Sequence, residues 1–256
     1  MTDELTRENQ RLARRVARLE MSLTQVEQIR DGNAQLLNRL MDDLDVERQR
    51  SRDLLLNVLP ARIVARLDEG ETNIADRHDF VAVVMTDLVG FTPSAAQLTA
   101  ADLVAELNDL FTRFDAACAR RGVEKIKTIG DAYMAVAGLD RDDSTASRAS
   151  VTSAASLALD MFEALVTSGA RWQMRIGIHA GPVVAGVIGT RKFAYDVWGD
   201  TVNVASRLES TSQPGRIQVS KVVADALESD FLLEPRGKVD LKGKGQTATW
   251  FLVGHR

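Results

Sequence analysis

Apolar side chains recur every seven residues along the N-terminal part of the chain. One series is Leu5, Leu12, Leu19, Val26, Asn33 and Leu40, and a second, offset by four, is Asn9, Val16, Leu23, Arg30, Leu37 and Leu44. Leu54 and Val58 keep the register. These fit the d and a positions of a coiled coil. Residues 1–58 hold no proline and a single glycine, Gly32, so the segment predicts one long helix paired in parallel with a second copy. Asn9 at an a position costs stability but favours an in-register pair. Arg30, Gly32 and Asn33 weaken the middle. A stalk that only dimerises and a coil that shifts to pass a signal both fit this pattern.

Pro60 ends or kinks the helix. Residues 59–78 then read as a connector, amphipathic through Leu67 and polar from Glu69 to Arg77. From Asp79 to the end, at Arg256, the pattern becomes mixed α and β. Phe80–Met85 is a valine-rich run suited to a central strand. Thr99 precedes an acidic first turn, the signature of a helix N-cap. That helix runs to about Arg120 with Leu103, Leu107, Leu110, Phe111 and Phe114 on one side. Val123–Ile129 and Ala132–Ala137 predict two strands around the turn Gly130-Asp131. Ser147–Val166 predicts a second long helix, Trp172–His179 and Val183–Ile188 a strand pair around Gly181-Pro182, and Asp200–Ser210 a short helix. Further strands are predicted near Leu232–Leu241 and Thr247–Val253. Strand, helix, hairpin, helix, strand is the order of a ferredoxin-like α+β core.

Composition narrows the class without naming it. At 256 residues the chain suits one well-buried domain plus an extension. The net charge of -4 gives no general electrostatic reason to bind nucleic acid or an anionic membrane. Cys118 is the single cysteine, so no internal disulfide forms; its apolar helical setting predicts a packed core thiol. No run is read as a membrane span of about 18 apolar residues, and the polar N-terminus does not suit a signal peptide. The chain as given reads as soluble and cytoplasmic, or as the soluble part of a longer membrane-anchored protein.

Two carboxylates stand at strand ends. Asp87 follows the first apolar strand, and Asp131 sits in the predicted hairpin turn. Each alone suits an ordinary turn or cap residue. In the fold above, however, the strand and the hairpin lie side by side, so the two carboxylates meet. Such a pair repels unless a cation lies between. Hard oxygen ligands point to Mg²⁺ or Mn²⁺, and Gly90 permits a close backbone approach to phosphates.

Four segments, Met85–Thr92, Lys125–Val136, Met174–Gly181 and Phe193–Glu209, resemble the class III nucleotide cyclases, and the likeness extends over about residues 80–253. The resemblance implies a palm-type, ferredoxin-like core with two divalent metal ions, Mg²⁺ or Mn²⁺, at Asp87, Leu88 and Asp131. It assigns Lys127 and Asp196 to reading the purine, Asn203 and Arg207 to the ribose and the transition state, and Arg175 and Lys242 to the phosphates. It also implies an obligate homodimer. Asp87, Asp131 and Arg175 of one chain would face Lys127, Asp196, Asn203, Arg207 and Lys242 of the other.

Adenine offers N1 as an acceptor and N6 as a donor, so a donor-only lysine beside an acceptor-only aspartate suits ATP. Guanine reverses that edge. Conversion of ATP to cyclic AMP and pyrophosphate is therefore the expected activity. A guanylyl cyclase and a catalytically silent dimerisation module are the alternatives; the Gly-Gly-Asp-Glu-Phe signature of diguanylate cyclases is absent. His179 is expected to make a structural hydrogen bond, and Phe193, Tyr195 and Trp198 to pack an interface. Any regulatory input would come from an upstream sensor or a partner acting through the coil.

Overall fold

The computed structural model describes residues 2–140, 146–189 and 193–256. The chain divides into two compact units, Met1–Leu59 and Pro60–Arg256. The first is a single helix, α1 (Thr2–Leu56). Its heptad residues Leu5, Leu12, Val16, Leu19, Leu23, Val26, Leu37, Leu40 and Leu44 are all at least half exposed. A lone helix of this kind buries little of its apolar stripe, so packing within the chain does little to stabilise it.

The second unit begins at Pro60, whose φ of -57° starts α2 (Ala61–Asp68). It continues through β1 (Ala75–Val89), α3 (Phe91–Ala95), α4 (Ala100–Arg121), β2 (Val123–Ile129), β3 (Ala132–Ala137) and α5 (Ala146–Ser168). Then follow β4 (Gln173–Ile188), β5 (Ala194–Trp198), α6 (Asp200–Ser210), β6 (Ile217–Ser220), α7 (Lys221–Leu227), β7 (Phe231–Leu241) and β8 (Gly245–His255). One sheet runs in the order β2-β3-β1-β4-β6-β8-β7, with β5 paired on β4. β1 is antiparallel to both β3 and β4, whereas β4 and β6 are parallel. This is the mixed α+β palm expected from the order of elements.

The main core lies between the sheet and α4, α5 and α7. Leu110, Phe114, Tyr133, Val151, Ala155, Leu157, Met161, Met174, Ile176, Ile178, Val223 and Leu227 all contribute. The Tyr133 ring sits edge-on to Phe114, with centroids 5.5 Å apart. The α4 cap forms as predicted: Thr99 Oγ1 accepts from the Asp102 N–H at 3.2 Å. Cys118 is buried with its sulfur 3.4 Å from the Tyr133 hydroxyl, and burial pushes its thiol up to about 11. It is a core thiol. The stretch Arg148–Ser168 does meet the length and composition of a membrane span, contrary to the sequence reading. This stretch belongs to α5, and half of it is buried, with Val151, Ala155, Leu157 and Met161 in the main core.

The opposite face of the sheet receives α6, and one glycine decides how closely. A Cβ at Gly177 on β4 would lie 2.2 Å from the Glu209 backbone nitrogen and 2.4 Å from the Ala205 carbonyl oxygen. Only glycine lets the helix settle there. Val204, Leu208 and Leu241 close a small second cluster beneath α6.

The sequence reading passed over the short strands β5 and β6 and misjudged the extent of β4 and β1. β4 is one continuous strand of 16 residues, not a pair turning at Gly181-Pro182. Gly181 is not in the left-handed region, and Pro182 lies opposite the register shift between His78 and Val81 on β1. A residue without an N–H is tolerated beside such a bulge. β1 begins at Ala75, so the tail of the presumed polar loop is strand.

Candidate active site

The carboxylates and cations come from strand ends, the hairpin and α6. Asp87 stands directly opposite Arg175 in the β1–β4 register. Arg175 Nη2 donates to Asp87 Oδ2 at 2.6 Å, and its Nη1 donates to the Ser210 carbonyl at 3.3 Å. Asp131 occupies the second position of a two-residue turn between Ile129 and Ala132. The first position, Gly130, has φ +64°, which such hairpins favour.

The structure brings Asp131 to Asp87 and Leu88 as predicted. Burial first, and then the Asp87 charge, hold the Asp131 carboxyl above its ordinary range. Hydrogen bonds from its own backbone and that of Leu88 oppose the shift. Asp131, raised in part by the neighbouring Asp87 charge, forms with it an oxygen-rich, cation-seeking pair.

Sequence reasoning missed Glu209. It is 8% exposed, on the face of α6 that meets Gly177. Its Oε1 lies 3.2 Å from Arg175 Nη2 but is not aligned to accept a hydrogen bond. Arg175 thus bridges Asp87 and Glu209. Burial, and next the Asp87 charge, push the Glu209 carboxyl up to about 7, while Arg175 opposes them. The signal in the sequence was a glutamate four residues after Ala205, on the apolar side of a short helix.

This shift has a sign that can be tested. Because folding raises the carboxyl, the native state binds the extra proton between the ordinary glutamate range and about 7, so stability falls as pH rises through that window. In EDTA, thermal melts from pH 4.5 to 8 are expected to show a smaller pH-dependent decline for Glu209→Gln than for the parent chain. Identical slopes would remove Glu209 as the cause.

The remaining predicted residues form two further groups. Lys127 Nζ donates to Asp196 Oδ2 at 2.5 Å, joining β2 to β5. Asp196 Oδ1 also accepts from the Val197 N–H at 2.8 Å. Asn203 and Arg207 sit four apart on α6 and so share a face. A Cβ on Gly243 would be 3.6 Å from Arg207 Nη1, so the guanidinium adjoins the β7–β8 turn that carries exposed Lys242.

Among the described residues, no hydrogen bond or ion pair links Lys127, Asp196, Asn203 or Arg207 to the aspartates. In register, Asp196 lies opposite Gly186, toward the far end of β4 from Arg175. His179 takes the structural place expected of it: Nδ1 is 2.8 Å from Ser220 Oγ, and burial lowers its imidazole. Phe193 and Trp198 are exposed, but Tyr195 is 6% exposed. Tyr195 therefore faces inward instead of lying on an interface, since neighbours on a strand point to opposite sides.

Paired acidic oxygens at the β1 end, a lysine–aspartate pair and an Asn/Arg helix face are the elements of a nucleotide cyclase. The chain belongs to the class III nucleotide cyclases: the family model for the adenylate and guanylate cyclase catalytic domain matches residues 74–254. An adenylate cyclase of Mycobacterium tuberculosis is 45% identical over 218 residues, which is 83% of this chain and 48% of that protein. Mouse retinal guanylyl cyclase 2 is 36% identical over 247 residues, 93% of this chain and 22% of that one. The chain thus spans half or less of the length of these relatives. Among solved structures, the guanylate cyclase domain of a Catenaria anguillulae protein, in complex with GTP, superposes with a TM-score of 0.66 at 34% identity. That match covers 71% of this chain and all of the other.

Proposed function

We propose that the chain is an adenylyl cyclase converting ATP to 3′,5′-cyclic AMP and pyrophosphate at sites shared by two copies of the chain. The observation that carries the substrate assignment is the Lys127–Asp196 contact of 2.5 Å. It presents one donor-only and one acceptor-only group side by side, the complement of the adenine edge. A guanine edge would leave both groups mismatched, at a cost of about 1–3 kcal/mol each when buried. The adenylate cyclase among the relatives agrees with this; the guanylyl relatives make GTP the control substrate.

Asp87, Asp131 and Leu88 are the residues that would hold divalent cations. Mg²⁺ is commonly held by one or two carboxylates together with water and substrate phosphates, which suits a site offering two. Bound there, the metal supplies neutralisation of phosphate charge and a lowered pKa for a coordinated hydroxyl. The chain's own groups do the rest. Asn203 orients the ribose so that its 3′ oxygen lies in line with the α-phosphorus. Arg207 offers two parallel donors to charge developing at the α-phosphate as the bond to pyrophosphate breaks. Arg175 and Lys242 neutralise the leaving phosphates.

Two features support pairing. The site residues fall into groups that one chain does not join, and the heptad stripe of α1 is uncovered. A parallel coil would raise the effective concentration of two catalytic domains.

Mixing tests this directly. Asp87→Ala and Asn203→Ala chains are each expected to be inactive alone. Combined one to one, half the dimers are mixed, and each mixed dimer has one intact site of two, giving about a quarter of parental ATP turnover. Confirmed mixed dimers without recovered activity would sink the shared site, and cyclic GMP formed from GTP as fast as cyclic AMP from ATP would sink the substrate assignment.

A further inference from the structure

β5 is a short strand of five residues, Ala194–Trp198, and among the described residues it pairs only with β4. Its position relative to β2 therefore depends on side chains. One link is Lys127–Asp196. The second comes from outside the sheet: Arg62 on α2 donates from Nη2 to the Tyr195 hydroxyl at 2.6 Å. The Arg62 guanidinium carbon also lies 5.5 Å from the Tyr195 ring centroid.

The same arginine reaches toward β2. Arg62, Val123 and Glu124 line one small cavity of about 170 Å³ with Leu139. Burial raises the Glu124 carboxyl, and the Arg62 charge is the first influence opposing it. Arg62 is thus placed between Glu124 on β2 and Tyr195 on β5, the two strands that carry Lys127 and Asp196. Tyr195 and Asp196 are consecutive and point to opposite faces, so fixing the first sets the pleat that aims the second.

We propose that Arg62 is a positioning residue for purine recognition: by holding Tyr195 from the connector helix, it fixes β5 so that Asp196 meets Lys127 and the base edge together. This rests on the reading of Lys127 and Asp196 as the purine-reading pair. The guanidinium does not touch the nucleotide. It acts through the strand, and so it governs discrimination and binding more than the rate of bond formation.

The test is a steady-state comparison of the full-length dimeric chain with ATP and with GTP. Arg62→Ala and Tyr195→Phe are each expected to raise KM for ATP about five- to tenfold, less than the full worth of a hydrogen bond to a charged donor because the effect passes through the strand, and to reduce the ATP-over-GTP preference. kcat for ATP should change less than about twofold. The double variant should be no worse than the poorer single one, since both remove the same contact. Arg66→Ala removes the neighbouring α2 ion pairs to Glu71 and Asp76 and should leave the nucleotide preference unchanged.

Tyr195→Phe deletes only a hydroxyl, which keeps the comparison sound if Arg62→Ala fails to fold. An unchanged KM and preference in Tyr195→Phe, a loss confined to kcat, or an equal effect from Arg66→Ala would each overturn the proposal. Asp196→Asn separates the two levels. If it shifts preference while Tyr195→Phe does not, only the positioning role falls; if it too is silent, the purine-reading pair falls with it.

Discussion

Asp87→Ala is expected to reduce cyclic nucleotide formation by about three orders of magnitude or more, because metal-assisted charge stabilisation contributes several kcal/mol at the transition state. The fold should survive. Asp87 is only partly buried, and its contact to Arg175 at 2.6 Å is one of several that hold that arginine. Without Asp87, Arg175 retains the Ser210 carbonyl and lies beside Glu209. Asp131 and Glu209 would at the same time be freed from a repelling neighbour that raises both.

The two effects should therefore separate: activity collapses, while the melting temperature in EDTA stays within a few degrees of the parent, as expected for about 1 kcal/mol or less. Titration of the variant with Mn²⁺ by calorimetry should show binding lost or much weakened. Retained turnover within tenfold of the parent, in a folded dimer, would refute the assignment of Asp87 to the metal site.

The second large effect is expected at a residue that carries no charge or side chain of its own. Gly177→Ala places a methyl group 2.2 Å from the Glu209 nitrogen and 2.4 Å from the Ala205 oxygen, both backbone atoms of α6. No side chain can rotate away, so the helix itself must move off β4. Overpacking of this kind costs typically 1–3 kcal/mol, occasionally more. Displacing α6 also shifts Asn203 and Arg207 together, and a misplacement of about 1 Å at such groups costs on the order of a hundredfold in rate. Both a lower melting temperature and a lower kcat are expected, whereas Asp87→Ala gives only the second. A Gly177→Ala chain with parental stability and parental kcat would show that α6 does not depend on this close approach.

These two predictions differ in what made them visible. Asp87 and Asp131 were legible in the sequence because each sits at a boundary that pattern alone defines, the end of an apolar run and a Gly-Asp turn. Lys127, Asp196, Asn203 and Arg207 were legible through long ordered motifs. The long helices α1, α4 and α5 announced themselves through sustained periodicity, and the Thr99 cap through a local hydrogen bond between near neighbours. All these signals are short-range, so the chain carries them whatever its surroundings.

The misreadings occurred where the outcome depends on a distant partner. Gly181-Pro182 looked like a turn, yet β1 supplies a bulge opposite it and the strand continues. β5 and β6 are of five and four residues, too short to show a period, and exist because β4 and β8 hydrogen-bond to them. Glu209 looked like an ordinary charge on a short helix. Its neighbourhood of Asp87, Asp131 and Arg175 arises only when α6 lies against Gly177, and desolvation there raises its carboxyl. Tyr195 seemed an interface residue until the pleat of β5 turned it toward Arg62 on the connector. By itself, the sequence determined the long elements and most of the side chains that could do chemistry, because propensity, periodicity and capping are local. Only the tertiary structure decided which charges share a desolvated space and which strand a helix can approach, because burial and Coulomb interactions depend on distances that the chain order does not contain.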